Sequence, residues 1–307
     1  MYVLDAVMHP SQGSIRVGQV REGHGTYTNP LLECDIAQDT ISAPRVRFER
    51  AFGAQVEAIK KREGITEVAA YYRDLNNGPA FGVNQTTQFF PASLLKVPLM
   101  MAFLKAAETN PAFLEQSVTF HKSATPLLAN QIIKPAETLE EGKSYTIENL
   151  IERMVTYSDN ESMELLYPLL PEKEYETLYR NLGINDINPD NPSTAISVVE
   201  YSTFFRVLFN ASYLSQASSE KALGILTRST FTQGLQAGVP KGIPIAHKFG
   251  ERDLGDGYYQ LHDCGIVYAP KSPYLLCVMT RGTSQAVLEH AVQDISAFTY
   301  KQVMAQQ

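Results

Sequence analysis

The run Tyr258-Tyr259-Gln260-Leu261-His262-Asp263-Cys264-Gly265-Ile266-Val267-Tyr268-Ala269-Pro270-Lys271-Ser272-Pro273-Tyr274-Leu275-Leu276-Cys277-Val278-Met279-Thr280 reads as two strands joined by a turn. Tyr258 to Tyr268 and Tyr274 to Thr280 are apolar and strand-like, and Ala269 to Pro273 is a hairpin signal. Neighbouring residues of a strand face opposite sides, so His262 and Cys264 share a face and Asp263 takes the other. A metal could be imagined on the first pair, but a packed strand accounts for both residues. A further strand-like run, Ile243 to Phe249, precedes the hairpin. Ser284 to about Met304 follows it as an amphipathic helix.

The opposite end of the chain carries a second set of strands. From about Arg45 to Glu63, Val46, Phe48, Phe52, Val56 and Ile59 recur at helical spacing, and Gly64 is a stop signal. Glu67 to Arg73 and Ala80 to Val83 then flank the turn Asn76-Asn77-Gly78-Pro79. Between the two sets, Ser93 to about Leu226 is mainly helical. One helix starts near Ser93, with Pro98 in its first turns, where a missing backbone donor is tolerated. Others run from Thr146 to about Thr156 and from Ser193 to Phe209. Strands at both ends of a helical block predict an α+β fold: one antiparallel five-stranded sheet, terminal helices on one face and an inserted all-helical subdomain. Residues 1–44, rich in Gly, Pro, Ser and Thr, read as an N-terminal extension, and 45–307 as a single domain.

A formal net charge of -7 disfavours nucleic acid or an anionic membrane as a partner, since both attract basic surfaces. Hydrophobic content of 44% and charged content of 19% are those of an ordinary globular chain. The three cysteines, Cys34, Cys264 and Cys277, are too few and scattered for a disulfide framework or a zinc site. Cys264 and Cys277 are expected to be buried free thiols. No signal peptide is visible, and no apolar run approaches the roughly 20 residues of a membrane span. No glycine-rich phosphate loop or helical His-x-x-x-His pair occurs, so neither a cofactor nor a metal is expected.

Three short segments carry the chemistry. In Phe90-Pro91-Ala92-Ser93-Leu94-Leu95-Lys96 a hydroxyl and an amine stand one helical turn apart. A desolvated amine is one way to activate a serine hydroxyl. Tyr157-Ser158-Asp159-Asn160 follows the helix ending near Thr156 and, by itself, is an N-cap. Ala246-His247-Lys248-Phe249-Gly250-Glu251 ends a strand. Taken in order, Ser93/Lys96, Ser158-Asp159-Asn160 and Lys248-Phe249-Gly250 resemble the Ser-x-x-Lys, Ser-Asp-Asn and Lys-(Thr/Ser)-Gly set of class A β-lactamases and penicillin-binding proteins. Leu275 to Gly282 is similar to the last strand of that family. The likeness covers about residues 45 to 305.

The resemblance implies catalytic roles for Ser93, Lys96, Ser158 and Lys248. Ser93 would attack a strained or activated carbonyl to form an acyl-enzyme, and Lys96 would hold or relay its proton. Ser158 and Lys248 would pass a proton to the departing nitrogen, with Lys248 also drawing a substrate carboxylate. The charge at Lys248 would favour a neutral Lys96. Substrate would be bound by Asn160, through an amide, and by the Phe249-Gly250-Glu251 segment. The backbone N–H groups of Ser93 and Glu251 would make an oxyanion hole, typically worth a few kcal/mol per donor. The implied substrate is a β-lactam or a peptidoglycan-like peptide, and the implied compartment is extracytoplasmic.

Two departures qualify this. Phe249 stands where the family carries a hydroxyl that grips the substrate carboxylate; it is expected to point into the core, with Arg252 or Arg228 as possible substitutes. From Thr177 to Val199 there is no glutamate, whereas the class A enzymes activate the deacylating water with one. Asn185 to Pro192 reads as a shortened loop. Asp186 and Asp190 there suit turns and caps, and Glu172, Glu174 and Glu176 suit a solvated helix face. The first expectation is therefore a class A-like serine β-lactamase with slow or atypical deacylation. The alternatives are a cell-wall D,D-peptidase and a non-catalytic module that retains the fold to bind.

Overall fold

The computed structural model describes residues 23, 25–30, 43–76, 78–122, 131–184 and 194–306. Most of the N-terminal extension with Cys34, Ser193, and the Asn185–Pro192 connection with Asp186 and Asp190 lie outside them.

The chain enters the domain through α1 (Ala43–Glu63), then the hairpin β1 (Glu67–Asp74) and β2 (Ala80–Val83). A 3-10 turn, Ala92–Leu95, leads directly into α2 (Lys96–Ala107). Ten of the twelve α2 residues are buried, which marks it as the central helix of its subdomain. Around it stand α3 (Ile147–Thr156), α4 (Asn160–Leu166), α5 (Glu172–Leu182), α6 (Val198–Phe209) and α7 (Gln216–Leu226). A small ribbon of β3 (Ser117–Thr119) and β4 (Ser144–Thr146) lies within this block. The chain closes with β5 (Ile245–Gly255), β6 (Tyr258–Val267), β7 (Tyr274–Gly282) and α8 (Gln285–Met304).

The five long strands form one antiparallel sheet in the order β2-β1-β7-β6-β5, with β1 against β7 joining the two ends of the chain. Alternation along each strand sends side chains to two cores. Ala69, Ala246, Cys264, Leu275 and Met279 pack with the helical block, and Val68, Tyr72, Leu261, Leu276 and Val278 pack with α1 and α8. Phe48, Tyr72 and Phe81 meet there with ring centroids 4.9 and 5.1 Å from Phe48. The α+β architecture and the helices covering one face are as the sequence predicts. Local signals also hold: Thr146 caps α3 through Asn149, and Ser197 and Glu200 form a reciprocal capping box on α6.

The cysteines require a correction. Cys264 and Cys277 are directly opposed across β6 and β7 and form a disulfide, with Cα atoms 3.9 Å apart. They are not free thiols. Part of the N-terminal extension also has a fixed place: Glu220 on α7 accepts from the backbone N–H groups of Tyr27 (2.9 Å) and Thr28 (2.6 Å), and the Tyr268 hydroxyl donates to the Tyr27 carbonyl at 3.0 Å.

Candidate active site

Ser93 sits in the 3-10 turn ahead of α2, at the base of a cleft of about 650 Å³ that is also lined by Gln131, Ile132, Asn160, Glu251, Arg252 and Asp253. The turn is held from several sides. Neutral His262 donates from Nε2 to the Phe90 carbonyl (3.0 Å) and accepts at Nδ1 from the Thr280 amide (3.3 Å). Burial pushes that imidazole down to about 4, so it stays neutral while it holds the turn. The Tyr201 hydroxyl donates to the Leu94 carbonyl at 2.9 Å. Ala92, just before Ser93, has φ 48°, a strained value for a residue with a Cβ. Gly250 lets β5 lie against this turn, because a Cβ there would stand 2.9 Å from the Pro91 carbonyl and 3.1 Å from the Leu94 amide.

Three buried groups, Lys96, Ser158 and Lys248, form a chain that reaches the cleft through Asn160. Lys96 donates to the Ser158 carbonyl at 2.7 Å, to Asn160 Oδ1 at 2.6 Å and to Ser158 Oγ at 3.3 Å. Lys248 donates to the same Ser158 Oγ at 2.9 Å and to the Phe249 carbonyl at 2.8 Å. Ser158 thus lies between two amines, on a backbone with φ 56° that aims its hydroxyl between them. Next to it Asp159 is buried and caps α4, accepting from the Glu161 amide (3.0 Å) and the Ser162 hydroxyl (2.6 Å). Its role is to fix the turn that carries Ser158 and Asn160.

The electrostatics follow from burial. Lys96 is lowered to about 7, chiefly by desolvation, with Asp159 and Glu251 pulling the other way. Lys248 is driven well below its ordinary value, first by desolvation and then by Lys96, partly offset by Asp263 and Glu251. The main cause at Lys96 is therefore burial, where the sequence pointed to the charge of Lys248. Glu251 is raised, mainly by burial.

Lys96, Ser158, Asn160 and Lys248 form one bonded network, Asn160 lines the cleft with Ser93 and Glu251, and Gly250 lies against the Ser93 turn. Phe249 is different: its side chain is 2% exposed and stacks on Phe231 with centroids 4.3 Å apart, beneath the Lys248 amine at 4.0 Å. Alternation along β5 puts it on the core side. Arg252 lines the cleft with its guanidinium 3.6 Å from the centre of the Phe90 ring. Arg228 instead pairs with Glu152 at 2.8 Å on the surface. Among the described residues the carboxylates lining the cleft are Glu251 and Asp253; Glu172, Glu174 and Glu176 are on α5, outside it.

Sequence reasoning missed several supports. Gln131 donates to the Ser158 carbonyl at 3.0 Å, with no local pattern to announce it. Asp263 bridges His247 Nδ1 and the Leu235 amide, each at 2.8 Å, beneath β5. Both residues stood in recognised strands, but their pairing depends on register. No cluster of three or more His, Cys, Asp or Glu side chains suited to a metal occurs among the described residues.

The model of the beta-lactamase enzyme family matches residues 51–303. No curated protein matches the sequence. The fold is similar to that of a beta lactamase from Xanthomonas campestris pv. campestris, at 20% identity and TM-score 0.70 over 83% of this chain and 98% of that one. A beta-lactamase from Chitinophaga pinensis is similar at 23% identity and TM-score 0.72, over 82% and 98% of the two chains. So is a PBP-A variant described as an acyl-enzyme complex with penicillin-G, at 23% identity and TM-score 0.69, over 84% and 97%.

Proposed function

Because the chain belongs to the beta-lactamase enzyme family, we propose that this hydrolase-type fold opens β-lactams through an ester on Ser93 and releases the product slowly. The observation that carries the reading is the buried chain Lys96–Ser158–Lys248, bonded through Asn160 to the cleft that Ser93 lines.

As an ammonium, Lys96 fills its three donor positions on Ser158 and Asn160. Losing a proton frees a lone pair. With Lys96 neutral, Ser93 Oγ attacks the lactam carbonyl and its proton passes to the Lys96 amine. The Ser158 hydroxyl, held by Lys248, then gives its proton to the lactam nitrogen as the C–N bond breaks, and recovers one from Lys96. The backbone N–H groups of Ser93 and Glu251 receive the developing oxyanion, and Asn160 receives the substrate amide. Arg252, which lines the cleft, supplies positive charge for the substrate carboxylate, replacing the hydroxyl that Phe249 lacks.

Slow release rests on the absence of glutamate between Thr177 and Val199. The same observation favours a second reading, a penicillin-binding D,D-peptidase whose natural substrate is a peptidoglycan-like peptide. The buried Cys264–Cys277 disulfide supports an extracytoplasmic setting for either. Intact-mass analysis with excess penicillin is expected to show one adduct on Ser93, absent in Ser93→Ala. A folded protein that forms none refutes both readings and leaves the binding module. Rapid hydrolysis of a chromogenic cephalosporin, lost in Ser93→Ala, would identify a β-lactamase; a trapped adduct with cleavage of D-Ala-D-Ala peptides would identify the peptidase.

A further inference from the structure

Glu251 makes a contact that the reaction scheme does not use. Its Oε1 accepts from the backbone N–H groups of Ile132 at 3.0 Å and Ile133 at 3.2 Å. Glu251 belongs to β5, whereas Ile132 and Ile133 belong to the segment ahead of β4. Ile132 and Glu251 nevertheless line the same cleft. One carboxylate oxygen therefore ties two walls of the Ser93 cleft together, through hydrogen bonds strengthened by its charge. The same segment is anchored a second time through Gln131, whose Nε2 donates to the Ser158 carbonyl at 3.0 Å. Gln131 Oε1 is buried with no partner among the described residues, so this anchor uses one end of the amide.

We propose that Glu251 is a specificity-determining residue: its side chain straps β5 to residues 132–133, fixes the width of the cleft and disfavours β-lactams with bulky groups beyond the amide. The inference rests on acylation at Ser93 with the substrate amide on Asn160. A substituent beyond that amide has to leave past Asn160, Ile132 and Glu251, the part of the cleft the strap narrows. Its backbone N–H serves the oxyanion; its carboxylate sets which acyl groups fit.

The test compares wild type, Glu251→Ala and Glu251→Gln in the full chain. A glutamine carbonyl in the place of Oε1 can accept both N–H groups, so Gln keeps the strap and Ala removes it. Amide hydrogen exchange at Ile132 and Ile133 reports the strap without requiring any chemistry. It is expected to quicken about tenfold or more in Ala and to stay near wild type in Gln. The second measurement is the acylation-rate ratio of a penicillin with a two-ring aromatic side chain to one with only an acetamido group. That ratio is expected to rise about tenfold in Ala and to stay close to wild type in Gln, the scale on which pocket size discriminates. Faster exchange in Ala with an unchanged ratio overturns the specificity role, and unchanged exchange overturns the strap itself. Equal loss of turnover in Gln and Ala on both penicillins also overturns it, by placing the charge in the chemistry. Failure of wild type to form a Ser93 adduct refutes the acylation reading on which the role rests, a result distinct from all of these.

Discussion

The pH dependence of acylation is the sharpest consequence of burying Lys96. Held at about 7 in place of its usual 10.5, the amine is about half neutral at pH 7, where an ordinary lysine is neutral in roughly one molecule in three thousand. If neutral Lys96 takes the Ser93 proton, burial raises the reactive fraction about a thousandfold. Acylation should then fall tenfold per pH unit on the acid side, to roughly one fiftieth of its pH 7 value at pH 5, and at most about double above neutrality. Stopped-flow mixing with a chromogenic cephalosporin from pH 5 to 9, with quenched mass analysis of the Ser93 adduct, measures this limb. Lys96→Arg cannot lose its proton and should lose about 10²- to 10⁴-fold in rate together with the limb. A rate that climbs steadily to pH 9, or one flat from pH 5 to 8, refutes the assignment. The same burial bears on stability. Between about 7 and 10.5 the folded Lys96 binds fewer protons than the unfolded one, so this residue makes stability rise with pH across that window.

Replacing both Cys264 and Cys277 with alanine should cost roughly 3 kcal/mol, the loop-closure value for a separation of 13 residues, read from urea unfolding. Gly250→Ala should leave the far-ultraviolet circular dichroism unchanged but slow acylation tenfold or more, about 1.4 kcal/mol of barrier, because its Cβ would meet the backbone of the Ser93 turn. Wild-type rates in that variant would show that β5 does not position Ser93. Arg252→Ala should raise the penicillin concentration for half-maximal acylation about tenfold, with Lys at this position restoring little, since a lysine cannot stack its charge flat on Phe90.

The segments that meet at the cleft are legible because each carries a local pattern. Ser93 and Lys96 are one turn apart, Ser158 and Asn160 flank a helix cap, and Lys248 lies in an apolar run that continues as β5 to Gly255, beyond the strand end expected at Phe249, so each announces itself within a few residues. Phe249, expected in the core because it stands where the family motif has a hydroxyl, is buried against Phe231. The Cys264–Cys277 bond was also within reach: both lie nearly equidistant from the Ala269–Pro273 turn, so the hairpin register opposes them. Counting cysteines across the whole chain hid that local symmetry. Gln131, the Glu251 strap and the His247–Asp263 pair depend on separate segments meeting in space, which no periodicity encodes. The three-residue strands β3 and β4 are too short for alternation to register.

The seam between β1 and β7 also bears on when the proposed site can assemble. During synthesis β1 and the Ser93 turn emerge early, while β5 with Lys248, and β7 that links it through β6 to β1, are made near the far end of the chain. The helical block can gather around α2 from mostly nearby segments, but the sheet that brings Lys248 to Ser158 has to wait. A partly made chain therefore carries Ser93 and Lys96 without the Lys248 contact to Ser158. The site proposed here would form late, when β1 pairs with β7.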